Sequence, residues 1–189
     1  MSIALYDITV PVLLRSLKNT DAWLQKAEAW ANENGKSEDD LLSARLAPDM
    51  RDFVYQILAL CAIARYSVLR EGWVYTSATT FPPEQGRTFK ELRATIADVL
   101  KFVEEVKRED VDGQEGREYT FWTGGEKGVG YEFGFENGIK FLNQFAFPNF
   151  WFHTTTAYAI LRMKGVQLGK ADFLAGGGAF DSTKAPSAA

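Results

Sequence analysis

The side chain best equipped for chemistry in this sequence is a single imidazole. His153 is the only histidine among 189 residues, and it sits in the run FPNFWFHTTTAYAILR at residues 147–162. An imidazole both gives and accepts a proton near neutral pH, so it can serve as a general acid or base. At helical spacing, Asn149, His153, Thr156, Ala157 and Ile160 share one face. That face mixes polar groups into a helix too apolar to be left in water. Burial follows, with the polar groups aimed at partners or at a ligand cavity. The expected partner of His153 is Asp49, near the start of an earlier helix, or a backbone carbonyl across the bundle. A His–Asp pair is how a catalytic imidazole is oriented, and equally how a core histidine is satisfied. His153 and Asp49 are therefore the candidate catalytic residues. Tyr6, Gln56, Trp122, Asn149 and Thr156 are the candidate ligand contacts, each with the alternative of a hydrogen-bonding core residue.

Other motifs carry less. Arg45 and Asp49 are four residues apart, but Pro48 lies between them, so an ion pair there reads as a latch at a helix entrance. The aromatic residues Trp122, Tyr131, Phe133, Phe145, Phe147 and Trp151 suit a pocket for a flat molecule, a core or a dimer face equally well. Residues 124–128, GGEKG, lack the Gly-Lys-Ser/Thr ending of a phosphate loop and open no long helix. Cys61, the only cysteine, lies in an apolar helical run and reads as inert core. A lone cysteine allows no intramolecular disulfide and no multi-cysteine zinc site.

The balance of residues narrows the class. A formal net charge of -4 and the lack of a basic stripe argue against nucleic acid, and rank a helix-turn-helix regulator last. No run of roughly 20 apolar residues predicts a membrane span, and the first residues lack a basic, apolar leader pattern. A cytoplasmic protein is the default expectation.

The elements that must position the imidazole read as four long helices. Asp7 is the expected N-cap of the first, with Val10, Leu13, Leu14, Leu17, Leu24, Ala27 and Ala31 inward and Gly35 beyond its end. After a short turn at Ser37, Pro48 opens the second, which carries Met50, Phe53, Val54, Ile57, Leu58 and Cys61 inward and closes at Gly72. Residues 73–86 read as a loop. Thr88 and Glu91 form a capping box for the third helix, which fades in the charged run 104–109. Residues 119–133 read as a β-hairpin or an aromatic loop, and residues 136–145 as a short helix. Pro148 starts the last long helix and Gly165 caps its end. The expected fold is all-α, with one domain over residues 1–174 and a small, polar, disordered tail over 175–189.

Several blocks together resemble a known family. They are ALYDITVP at residues 4–11, ARLAPDM at 44–50, TFKEL at 88–92, the stretch 147–162 and GVQLGKAD at 165–172. The chain resembles the DUF1993 family, a domain of unknown function, from about residue 2 to about residue 174. The resemblance implies a four-helix bundle of DinB-like type, which often dimerises, with the hairpin or loop inserted before the last helix. Many DinB-like proteins hold a divalent metal through three histidines. This chain has one, so no metal ligands and no cofactor are expected, and a mixed site of His153 with Asp49 or Asp52 is the weaker reading. Residues 73–86 look longer and richer in Thr, Pro and aromatics than the family's usual loop.

Two functions remain in play. One is a small-molecule-binding protein or enzyme, using His153 with Asp49 inside an apolar bundle cavity, its chemistry proton transfer or a thiol- or metal-assisted transformation, between which the sequence does not choose. The other is a non-catalytic homodimeric module that presents its helix faces to a second copy.

Overall fold

A computed structural model describes residues 4–68, 88–123, 127–178 and 180. The fold is predominantly helical with one small sheet. Helix α1 spans Leu5–Glu33 and buries Val10, Leu13, Leu17, Leu24, Ala27 and Ala31. It begins two residues before Asp7, which is therefore not its N-cap. The Asp7 carboxylate sits in the first turn and pairs instead with Arg108 at 2.5 Å. The short α2, Asp39–Leu42, follows.

Helix α3, Phe53–Ser67, is central: all of its residues except Tyr55 and Arg65 are buried. It packs against the helices Phe147–Met163 and Phe89–Glu104, while α1 packs against Phe89–Glu104 and Lys170–Ala175. The sequence places its start at Pro48. It starts at Phe53, because the Asp52 carboxylate accepts from the Tyr55 backbone N–H at 2.9 Å and caps it. Five residues expected in the helix, Asp49 among them, are therefore loop or cap. The predicted stop at Gly72 and the loop 73–86 lie outside the described residues.

Helix α4, Phe89–Glu104, opens with the expected capping box of Thr88 and Glu91. Its end is not simply a solvated charge run. Val106 and Val111 are buried, and the one-turn helix α5, Arg108–Val111, turns the Arg108 guanidinium onto Asp7, Asp112 and the Tyr6 ring. Strands β1, Tyr119–Trp122, and β2, Glu132–Phe135, form an antiparallel hairpin, with Phe121 opposite Phe133. One face packs Phe121, Phe133 and Phe135 onto Phe145.

The chain then runs through α6, Gly138–Phe141, a π-helical turn, Leu142–Ala146, and α7, Phe147–Met163, without a break. Two separate helices were the expectation. Pro148 lacks an N–H, and its ring crowds the carbonyl one turn back. The π turn absorbs this, with the Phe147 N–H reaching five residues back to the Leu142 carbonyl.

The end of α7 follows the sequence expectation. Gly165 has a φ of 98°, its N–H meets the Arg162 carbonyl, and the Val166 N–H meets that of Leu161. This is a Schellman motif, and a side chain at its left-handed position is strained. A Cβ on Gly165 would also stand 3.3 Å from the Trp30 ring. Gly165→Ala is expected to destabilise the fold by about 1–2 kcal/mol, read as a lowered urea midpoint with an unchanged slope.

Helix α8, Lys170–Ala175, lies on α1. The segment after it continues along α1: the Gly177 N–H bonds to Asn19 Oδ1, and Phe180 lies under the Arg15 guanidinium. Residues 179 and 181–189 lie outside the described set.

Candidate functional site

The site is built where the first turns of α3 face the middle of α7. Gln56, 2 % exposed, is held from both ends. Its Nε2 donates to the Arg51 backbone carbonyl at 3.0 Å, which turns Oε1 toward the imidazole. Gln56 Oε1 lies 2.6 Å from His153 Nδ1. A carbonyl oxygen only accepts, so Nδ1 carries the proton. Nε2 is then the acceptor nitrogen, and it has no hydrogen-bond partner among the described residues.

Rings surround the imidazole. Tyr55 meets it edge-on at 5.9 Å and Phe152 at 5.2 Å, and the Arg51 guanidinium lies over the Tyr55 ring at 5.3 Å. Burial disfavours the imidazolium and pushes the His153 pKa from 6.5 down to about 4. The neighbouring amide carries no charge to reverse that. His153 is therefore neutral across the physiological range, with one lone pair on offer.

The expected partner Asp49 is not the one found. It is exposed on the segment before α3, seven positions upstream of Gln56, and the hydrogen bond to His153 comes from Gln56. The late start of α3 is the reason. Arg45 likewise pairs with Asp52, at 3.5 Å, and donates to the Met50 carbonyl, rather than latching onto Asp49.

The other predicted residues separate into two groups. Asn149 lies one turn before His153 on α7 and donates to the Tyr66 hydroxyl of α3 at 3.2 Å. Thr156 is buried on the same face. Tyr6 is remote, under Arg108 at the start of α1, and Trp122 stands in β1 opposite Glu132. Three contributors escape the sequence reading, the Tyr55 ring among them. The Arg51 carbonyl is a backbone group that no side-chain pattern reveals. Tyr66 was legible only as ten residues beyond Gln56, on the inward side of the same helix. A separate cleft of about 340 Å³, between α1 and Gly177–Gly178, contains none of the predicted site residues.

The metal set that the DinB-like resemblance implies does not fit these residues. There is one histidine, its partner is a neutral amide, and Asp52 is engaged by the cap and Arg45. No three His, Cys, Asp or Glu side chains converge among the described residues. No helix among them is long and apolar enough to cross a membrane.

The model of the family described as a domain of unknown function, DUF1993, matches residues 5–174. No curated protein matches the chain. Among solved structures, the crystal structure of a DinB family member protein from Shewanella denitrificans is similar. The match covers 96% of this chain and 96% of that one, at 33% identity and a TM-score of 0.73.

Proposed function

The chain belongs to the DUF1993 family, and on that footing we propose that its four long helices form one DinB-type bundle that binds a small molecule at the seam of α3 and α7. His153 is the group that meets the ligand. Its Nε2 accepts a hydrogen bond or a proton, while Gln56 holds the ring in the tautomer that leaves Nε2 free. The observation that carries this reading is the 2.6 Å contact between Gln56 Oε1 and Nδ1, with the amide itself fixed by the Arg51 carbonyl. The same bond would satisfy a core histidine; what favours a ligand site is that the ring is half-buried and its Nε2 has no hydrogen-bond partner among the described residues. Asp49 has no part in this version of the site.

Diethyl pyrocarbonate tests it, because the reagent acylates only an accessible, unprotonated imidazole nitrogen. The chain has one histidine, so the ultraviolet signal of the carbethoxylated ring reports His153 alone. The rate constant is expected to stay nearly flat from about pH 7 to about pH 5, whereas an ordinary imidazole slows about 25-fold over that span. A folded protein that resists the reagent at every pH would remove the site.

A second reading rests on Phe152, which is 54% exposed beside His153. Here α7 presents that face to another copy of the chain, giving a homodimer. Phe152→Ser is then expected to shift the sedimentation coefficient from dimer to monomer. A wild-type chain that sediments as a monomer removes this reading and leaves the first intact.

A further inference from the structure

One stripe of α1 reads the main chain of the segment that follows α7. Arg15, Asn19 and Trp23 recur at every fourth position and donate to three successive carbonyls. Arg15 Nη1 meets that of Leu174 at 3.3 Å, Asn19 Nδ2 that of Phe173 at 2.9 Å, and Trp23 Nε1 that of Asp172 at 2.9 Å. Asn19 Oδ1 also accepts from the Gly177 N–H at 2.9 Å, so both ends of one side-chain amide are spent on the segment.

The packing around these bonds is thin. None of the residues of α8 is fully buried, whereas α1, α3, α4 and α7 each bury several. Phe173 supplies the ring contacts, against Trp23 of α1 and against Tyr158 and Trp151 of α7. The Lys26 ammonium that pairs with Asp172 is half exposed, so that pair adds little. A segment held mainly by side-chain bonds to its backbone, with little apolar surface buried, belongs to the low end of local stability. A helix of this length does not persist alone in water, since isolated helices shorter than roughly 12 residues are marginal. Docking onto α1 and the folding of α8 are therefore one event.

Gly177 sets how closely the segment approaches. A Cβ there would overlap the Lys18 backbone carbonyl and stand 2.8 Å from the Asn19 N. Its φ lies outside the left-handed region, so alanine would strain only the approach to α1. At the next residue, Gly178, a Cβ would meet nothing within 4 Å.

We propose that residues 170–178 are a latch that opens from α1 as one unit while the bundle stays folded, with Gly177 as the contact that lets it close. Opening uncovers the Trp23 ring and the Asn19 amide, and it melts α8. The device is independent of His153, which lies on the seam of α3 and α7.

Hydrogen exchange of the full chain, followed by nuclear magnetic resonance, tests the latch. The backbone N–H groups of Phe173, Gly176 and Gly178 bond within the segment, that of Gly177 bonds to Asn19, and the Trp23 indole N–H bonds to Asp172. All of these are expected to share one protection factor, at least about 100-fold below that of the Leu17 and Leu24 amides in the core of α1. Gly177→Ala is expected to lower the shared factor at least about tenfold, and Gly178→Ala to leave it unchanged. Segment amides as well protected as those of Leu17 and Leu24 would make α8 part of the bundle's own cooperative unit and overturn the latch. Amides with no protection at all would mean that the segment is not docked, with the same consequence. A Gly177→Ala chain protected like the wild type, or a Gly178→Ala chain that loses as much, would remove Gly177 from its place in the latch and the proposal with it.

Discussion

Replacing Trp23 by alanine is expected to cost the fold about 3–5 kcal/mol, the largest effect of any single substitution considered. Trp23 is 1% exposed in the middle of α1. Its ring stacks on Phe173 at 5.3 Å and meets Tyr158 edge-on at 5.6 Å, so it joins α1 to both α8 and α7. Its Nε1–H also donates to the Asp172 carbonyl at 2.9 Å. Truncation leaves a cavity under three helices and removes that hydrogen bond, leaving the Asp172 carbonyl only the Gly176 N–H at 2.9 Å. The neighbouring ion pair of Lys26 with Asp172 is half in water and cannot hold α8 alone. Trp23→Phe keeps most of the volume and loses the hydrogen bond, so a smaller loss, about 1–2 kcal/mol, is expected. Urea unfolding followed by far-ultraviolet circular dichroism measures both. Equal losses for the two variants would mean that ring volume is not what holds these helices together.

How far the fold could be read from residues depended on how local each signal was. The capping box of Thr88 and Glu91 closes within four residues and the reversal at Gly165 within six, and both stand where the sequence puts them. The hairpin needed only two short aromatic runs and the glycines between them. Asp7 misleads as an N-cap because its true partner, Arg108, is 101 residues away. The start of α3 misleads for a different reason. Pro48 and Asp52 both carry start signals, and a cap bond to Tyr55 decides between them in a way that composition does not display. That displacement propagated to the site, where Asp49 looked like the partner of His153 and the structure brings in Gln56. The expectation that survives is the physical one, that an imidazole in an apolar helix meets a polar group from another helix. Which group it meets depended on where that other helix began. The π turn before Pro148 was illegible because nothing in six residues distinguishes a widened turn from a break.

Acid should weaken this protein through His153, and a single substitution should reverse the ring's preference. The folded pKa is pushed down to about 4 by burial, against an ordinary value of 6.5. Between those values the unfolded chain binds a proton that the folded chain refuses, so stability rises with pH there. The contribution is fully present above about pH 6.5 and is lost as pH falls through about 4. The loss is at most about 3 kcal/mol, less whatever solvent reaching the partly exposed ring recovers. His153→Phe should remove this component of the pH dependence while leaving the carboxylate titrations in place. Gln56→Glu tests the cause more sharply. It exchanges the amide oxygen against Nδ1 for a carboxylate, which favours the imidazolium and should raise the His153 pKa by about 1–3 units. The Arg51 carbonyl, now facing an acceptor in place of the Gln56 Nε2–H, turns part of that gain into a stability loss near neutral pH. A nuclear magnetic resonance titration of the one histidine reads both forms directly. A wild-type midpoint near 6.5, or a midpoint unmoved by Gln56→Glu, would mean that the ring is hydrated and its contact with residue 56 does not set its charge.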